Sequence, residues 1–315
     1  MDNLRIVFMG TPEFATGILD AILEAGYNVV AVVTAPDRPA GRGQKLQFSH
    51  VKEYALGKGL PVLQPVNLKD DAFREELAAF GADIQVVVAF RMLPKSIWSL
   101  PPKGTFNLHA SLLPAYRGAA PINWALINGE TRTGVTTFFI DEKIDTGAMI
   151  LSKETDILET DDAGSLHDQL MALGKEAVVD TLRMVQDGTV VTTAQPEGET
   201  GAAAPKLTKE NTRIDWTQPG RTIVNLIRGL SPYPAAWTII KNNGRESNVK
   251  IYQAIWEPGT TTHETGKLTA SRKELRIAVS DGYVRIDSLQ FPGKKRMTAS
   301  ELLNGVRFSD DAIAL

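Results

Sequence analysis

Residues 5–33 read RIVFMGTPEFATGILDAILEAGYNVVAVV, and the change of texture within this stretch decides the fold. RIVFM is a continuous apolar run, the pattern of a strand covered on both faces. Phe14, Ile18, Ala21 and Ile22 then recur at helical spacing, and Gly26 supplies a terminator. NVVAVV is a second run of the first kind. Strand, helix and strand in so short a span make a parallel pair joined by a crossover. The alternation continues through DDAFREELAAFGAD into IQVVVAF, and on through TFNLHA, APINWALING and GVTTFFI. It predicts an α/β fold: a doubly wound, mostly parallel sheet, Rossmann-like in layout.

The helical pattern SLHDQLMALGKEAVVDTLRMVQDG closes this part, giving a first domain over 1–187. Residues 188–206, rich in Gly, Pro, Thr and Ala, read as a linker. The rest, 207–315, breaks into short alternating segments: AAWTIIK, VKIYQAIW, GKLTA, ELRIAV and YVRIDSLQF. They predict a small β-barrel of the oligonucleotide-binding kind. A chain of 315 residues is long for one core, so two domains fit its size. The charges divide with them. From Lys206 onward lie 17 of the 34 Lys and Arg but only 11 of the 37 Asp and Glu, a balance of +6 against −9 before it. A basic module beside an acidic one suits a polyanionic partner, or reflects ordinary variation of surface charge. Zero cysteine excludes disulfides, thiolate metal sites and a cysteine nucleophile, and fits a reducing compartment. The apolar run at 4–9 is too short for a signal peptide or membrane span, so a cytoplasmic protein without membrane association is expected.

The candidate chemistry starts from what is missing. GTPEFA after the first strand lacks the glycines of G-x-G-x-x-G, and no P-loop exists, which argues against a nicotinamide cofactor. Gly10 is expected to permit a tight strand-to-helix turn. FNLHASLLPAYRG, by contrast, places Asn107 and His109 at the end of a strand, on one face because side chains repeat every two residues. An amide can donate to an oxygen gaining negative charge, and an imidazole can hold a proton. The same pair reads equally as a buried, hydrogen-bonded couple. Asp145, in a turn after the next core strand, could orient the imidazole. Its Asp-Thr-Gly occurs once, which disfavours a protease dyad. Asn, His and Asp without a Ser or Cys nucleophile point to transfer onto an external nucleophile. No metal-ligand spacing is present.

APDRPAGRGQKL (35–46) carries two prolines and two glycines and is expected to hold no regular element. Its Arg38, Arg42 and Lys45 face only Asp37, which suits phosphate contact or a solvated loop. Trp124, Trp216, Tyr233 and Trp237 are expected to pack in the core.

FNLHASLLPAYRG followed by GVTTFFIDEKIDTGAMI resembles the folate-dependent formyltransferases, whose core carries N-x-H-x-S-L-L-P and a downstream D-x-G. The likeness covers residues 1–185 and is most specific at 107–118. GTPEFA, TAPDRPAGRGQKL, LPVLQP, LLPAYRGAAPINWA and KLTKENTRIDW resemble, in order and spacing, the branch of that family acting on initiator tRNA. The resemblance implies a transferase of translation initiation. It would carry the formyl group of 10-formyltetrahydrofolate, a co-substrate, to the α-amine of initiator methionyl-tRNA through a tetrahedral intermediate, without a metal and as a monomer. It implies Asn107, His109 and Asp145 as the catalytic set. It implies that Ser111, Leu112, Leu113 and Pro114 shape the folate site, with Phe90 and Met92 near the pteridine. Arg38, Arg42 and Lys45 would meet the acceptor end of the tRNA, joined by Lys206 and Lys209. The chain departs from the pattern at Phe90-Arg91, where relatives commonly have Tyr-Gly, at Gln44, and at Glu142 and Lys143. Sugar-nucleotide formyltransferases share the core and a small C-terminal domain, and the basic loop argues for tRNA over a sugar.

Overall fold

The computed structural model describes residues 4–40, 45–196 and 201–315. They form two compact units. The first gathers Met1–Pro121, Thr133–Thr155 and His167–Ala203; the second gathers Ile122–Arg132, Asp156–Leu166 and Ala204–Leu315.

In the first unit the chain runs β1 (Arg5–Gly10), α1 (Glu13–Glu24), β2 (Asn28–Val33), β3 (Arg38–Ala40), β4 (Lys45–Gln47), α2 (His50–Gly57), β5 (Val62–Leu63), α3 (Asp71–Ala79) and β6 (Ile84–Val88). It continues through α4 (Lys95–Trp98), β7 (Thr105–His109), β8 (Arg132–Phe139), β9 (Met149–Asp156) and the long α6 (Ala163–Asp187), which belongs to this unit from His167 on; α5 (Pro121–Ile127), between β7 and β8 in the chain, belongs to the second unit from Ile122 on. One sheet takes the order β5-β2-β1-β6-β7-β8-β9. The first five strands are parallel, and β8 runs antiparallel to β7. Because β2 and β5 lie on one side of β1 and β6 on the other, strand order reverses between β1 and β6. Crevices beyond the carboxyl ends of strands at such a reversal are where open α/β sheets bind ligands.

Burial follows the apolar runs. Ile6, Val7, Phe8 and Met9 of β1 are fully buried, as are Ile18, Leu19 and Ile22 of α1. Each such side chain contributes about 1.5–3 kcal/mol. Gly26, with φ +80°, ends α1 as its sequence position predicts. Gly10 serves another purpose than the expected turn: it lies outside the left-handed region, and a Cβ there would stand 2.5 Å from Ala15 Cβ and 2.9 Å from Val88 O. Close approach of β1, α1 and β6 demands the glycine. The 35–46 loop also departs from expectation. β3 and β4 pair antiparallel, Arg38 opposite Gln47 and Pro39 opposite Leu46. A two-stranded ribbon has only edge strands, where proline is tolerated.

The second unit is a barrel with a helix. After α7 (Gly220–Leu230) come β10 (Ala236–Asn242), β11 (Arg245–Pro258), β12 (Leu268–Ala270), β13 (Leu275–Val279), β14 (Gly282–Gln290), β15 (Met297–Thr298), α8 (Ala299–Leu303) and β16 (Ile313–Ala314). The order β12-β13-β14-β11-β10-β16 is antiparallel throughout. A bridge between Lys267 and Ile313 brings the two ends of that order together. Sequence reading found β10 to β14 but not the two-residue β15 and β16, and it missed α7, whose Ile223, Ile227 and Leu230 join the barrel core. Trp216 is buried and donates to Thr238 Oγ1 at 2.9 Å. Tyr233 is a correction: it is 82% exposed, not core. It stands between Pro232 and Pro234 ahead of β10, so the inward alternation of that strand does not reach it. Among the described residues no helix is long and apolar enough to cross a membrane.

Gly10→Ala should destabilise the first unit by about 1–3 kcal/mol through overpacking. Urea unfolding should show this as a lower midpoint with an unchanged slope.

Candidate active site

β7 positions the first two candidate groups. Its pleat sends Leu108 toward α6, where a Cβ on Gly174 would lie 2.8 Å from the Leu108 side chain. Its partner on β8, Thr137, faces the same helix and bonds Thr181 Oγ1 at 2.8 Å. Asn107 and His109 therefore project from the opposite face. His109 is buried, and its Nε2–H donates to Tyr116 O at 2.8 Å. That carbonyl can only accept, which puts the proton of the neutral ring on Nε2. Nδ1 is left facing Asp145 Oδ2 at 3.8 Å, beyond direct hydrogen-bond range. Both ring nitrogens thus face protein groups. Asn107 differs: its Oδ1 is buried and has no hydrogen-bond partner among the described residues. An orphaned buried polar atom costs about 1–3 kcal/mol, and rotation of the amide can present a donor there instead.

Asp145 reaches this place from a strained turn. It has φ +55° and Tyr116 has φ +60°, left-handed positions that cost a non-glycine residue about 1–2 kcal/mol each. Gly118 N–H donates to Asp145 Oδ2 at 2.9 Å. Gly147 is required by contact, since a Cβ there would overlap Phe139 O at 1.6 Å. One group that sequence reading missed lies in the stretch expected to be linker. Gln195 Nε2 donates to Asp145 O (3.0 Å) and Gly147 O (2.8 Å), and its Oε1 accepts from Arg117 Nε (3.1 Å) and Nη2 (2.6 Å). Only its place among Gly, Pro and Thr was legible, and that signal pointed elsewhere.

The Ser111–Pro114 turn adjoins His109 and is anchored beneath. Ser111 is fully buried, its hydroxyl donating to Ala115 O at 2.7 Å. Thr136 Oγ1 donates to Ser111 O at 2.8 Å and accepts from Leu113 N–H at 3.2 Å. Leu113 is buried, while Leu112 and Pro114 are half-buried. Phe90 and Met92 follow β6, at the order reversal; Phe90 packs on the core beneath, and Met92 is exposed. Arg91 between them donates to Val66 O (3.1 Å) and Pro65 O (2.7 Å). Burial, with the nearby Arg38 charge, holds its pKa below the usual guanidinium value.

Arg38 is exposed on β3. Asp37 does not offset it, because Lys52 (2.5 Å) and Gln64 (2.8 Å) hold that carboxylate and lower its pKa. Lys45 starts β4, and Arg42 lies outside the described residues. Lys206 and Lys209 belong to the second unit, both exposed. Lys209 Nζ and the Arg213 guanidinium lie 5.4 and 5.5 Å from the centre of the Trp237 ring. The first unit thus brings together Asn107, His109, Asp145 and the Ser111–Pro114 turn, with Phe90 and Met92 on the neighbouring strand end. Among the described residues no cluster of three or more His, Asp or Glu side chains could hold a metal ion.

Comparison with known proteins fits both units. The formyl transferase family profile matches residues 4–182, and that of the formyl transferase C-terminal domain matches 206–307. A protein of Flavobacterium johnsoniae named methionyl-tRNA formyltransferase is 59% identical over 312 residues, 99% of each chain. One of the same name from Parabacteroides distasonis is 52% identical over 313 residues, 97% of each. In fold, the chain is similar to an N-formyltransferase of Helicobacter canadensis solved with folinic acid and dTDP-3-aminofucose (TM-score 0.66, 20% identity, 90% of this chain and 98% of that one). It is also similar to HypX of Aquifex aeolicus in complex with tetrahydrofolic acid (TM-score 0.65, 19% identity, 98% of this chain and 49% of that one).

Thr136→Val removes both bonds that anchor the Ser111–Pro114 turn and should cost about 1–3 kcal/mol. Hydrogen exchange should show the Leu113 amide losing protection ahead of the sheet.

Proposed function

The chain belongs to the formyl transferase family, and from that premise we propose how it works: it carries the formyl group of 10-formyltetrahydrofolate to the α-amine of methionine on initiator tRNA. The observation that carries this reading is the full-length likeness at 59% identity to a methionyl-tRNA formyltransferase, spanning both units. The functional division we assign is catalysis in 1–187 and acceptor recognition in 207–315, joined by 188–206. The enzyme acts as a monomer in the cytoplasm, where charged tRNA is made and used.

The residues at the strand-order reversal fit the donor. Phe90 and the exposed Met92 offer apolar surface to a flat heteroaromatic ring, and the Ser111–Pro114 turn supplies a wall. Arg91 and Arg38, near enough for their charges to interact, supply positive charge for an acidic tail. Bound there, 10-formyltetrahydrofolate supplies an electrophilic formyl carbon. The chain's own groups manage charge and one proton. An α-amine has a pKa of about 8, so a good neutral fraction exists without a strong base. Asn107, with unused hydrogen-bonding capacity at the end of β7, turns its amide to donate to the formyl oxygen as negative charge grows there. His109 has Nε2 committed to Tyr116 O, so its exchangeable position is Nδ1. Nδ1, opposite Asp145, takes up the proton the amine sheds and returns it to the departing folate nitrogen as the tetrahedral intermediate collapses and the bond from that nitrogen to the formyl carbon breaks. Arg38, Arg42 and Lys45 in the first unit, and Lys206 and Lys209 in the second, neutralise phosphates of the acceptor RNA.

Incubating the protein with 10-formyltetrahydrofolate and methionyl initiator tRNA should yield formyl-methionyl-tRNA; uncharged tRNA and a nucleotide-activated amino sugar serve as controls. Product on the sugar alone would overturn the acceptor assignment and keep the catalytic one. In the same assay Asn107→Ala should lower kcat by about 10²–10³ with an unchanged unfolding midpoint. Near-normal turnover would remove Asn107 from the mechanism.

A further inference from the structure

The Gln195 amide uses every hydrogen-bonding position it has. Its oxygen accepts two N–H groups from Arg117, and its nitrogen donates to the carbonyls of Asp145 and Gly147. Partner chemistry fixes its orientation, since a guanidinium only donates and a main-chain carbonyl only accepts. Gln195 itself is tethered: two residues earlier, Thr193 N–H and O bond Met149 O and N–H at 2.9 Å each, at the start of β9.

Both ends of this link lead to the His109–Asp145 pair. Arg117 lies between Tyr116, whose carbonyl holds His109 Nε2–H, and Gly118, whose N–H holds Asp145 Oδ2. On the other side, the two carbonyls flanking Thr146 define the turn in which Asp145 takes its left-handed φ. Imidazole, Tyr116, Arg117, Gln195 and Asp145 form a closed circuit whose remaining gap is the 3.8 Å between Nδ1 and Oδ2. We propose that Gln195 is a positioning residue for the transfer reaction: through Arg117 on one side and the Asp145 turn on the other, it sets the separation and alignment of the carboxylate and the imidazole.

The inference rests on the proposed roles of His109 and Asp145, and the experiment separates the two. In the full-length protein, Gln195→Ala should lower kcat about 10-fold or more, the scale at which groups orienting a reactive side chain act. KM for either substrate should change less than twofold. The change should include the pH dependence of kcat and should add little on top of Asp145→Ala. Gln195→Glu keeps an acceptor for Arg117 but loses both donors to the turn, and it should resemble Gln195→Ala. Independently of activity, the imidazole NMR resonances of His109 should move in Gln195→Ala while those of His50, His167 and His263 keep their positions. Full kcat in Gln195→Ala, rescue by Gln195→Glu, or unmoved His109 resonances would overturn the proposal. Full activity in Asp145→Ala would instead overturn the role of Asp145, whatever Gln195→Ala does.

Discussion

Hydrogen bonding of β7 on both edges is the constraint on which the rest of this site depends. β6 pairs with it in parallel, Val87 opposite Asn107, and β8 in antiparallel, Phe138 opposite Asn107 and Thr136 opposite His109. A strand held from both sides cannot slide, and a slip of one residue would exchange its faces. Leu108 and Thr137 would then lose α6, and Asn107 and His109 would be driven into that contact. The apolar and small groups against α6 therefore set the register that exposes the amide and imidazole on the other face. The same pairing places Thr136 under the Ser111–Pro114 turn, where its one hydroxyl serves both Ser111 O and Leu113 N–H. Fold and candidate site are two sides of one strand.

What sequence reading recovered and missed divides along the range of the interactions. The strand and helix alternation of the first unit was legible because hydrophobic period is local: β1, α1, β2, β6, β7 and β8 all stand where their apolar patterns predict. Gly26 was legible as a terminator for the same reason. Gly10 was legible as necessary but not for its cause, since the atoms that exclude a Cβ come from α1 and from β6, seventy-odd residues on. Gln195 was wholly hidden. Its partners are 78, 50 and 48 residues away, and nothing within its own neighbourhood records them. The β3–β4 ribbon was missed because proline and glycine weigh against strands in general but not against a ribbon made only of edges. α7 carries a plain helical period that was passed over among the strand patterns surrounding it.

The charge asymmetry also looks different once partners are known. Arg276 and Arg285 of the barrel are paired with Glu257, Glu274 and Asp287, and those pairs lie side by side on β11, β13 and β14. Pairs of this kind add little to stability, and because they hold two arginines against three carboxylates, the excess is carried elsewhere in the domain. Arg228 is likewise spent on the carbonyls of Leu158 and Asp161. The excess that remains is carried by groups such as Lys206, Lys209 and Arg213, the last two gathered on Trp237. Lys209 and Arg213 thus form one local cationic group on Trp237, and further exposed basic side chains stand at Lys241, Arg245, Lys273, Lys294 and Lys295.

The division of labour at the site follows from which hydrogen bonds are already made. An imidazole free at one nitrogen can serve as a general base, but His109 has its Nε2–H given to Tyr116 O and its Nδ1 turned to a carboxylate. On the proposed mechanism such a ring exchanges a proton at Nδ1 alone, in a place set by the facing carboxylate. An amine nucleophile asks for no more, because it attacks in its neutral form and sheds its proton only after bonding. The harder demand is the negative oxygen that forms at the same moment, and it needs a donor fixed in advance rather than recruited from solvent. Among the candidate groups only Asn107 has a buried amide end left unmatched. Tyr116 and Asp145 both take left-handed positions; the Tyr116 carbonyl accepts from Nε2–H and the Asp145 carboxylate faces Nδ1 at 3.8 Å. On the proposed mechanism, the amide two residues earlier on β7 is the group that meets the reacting oxygen.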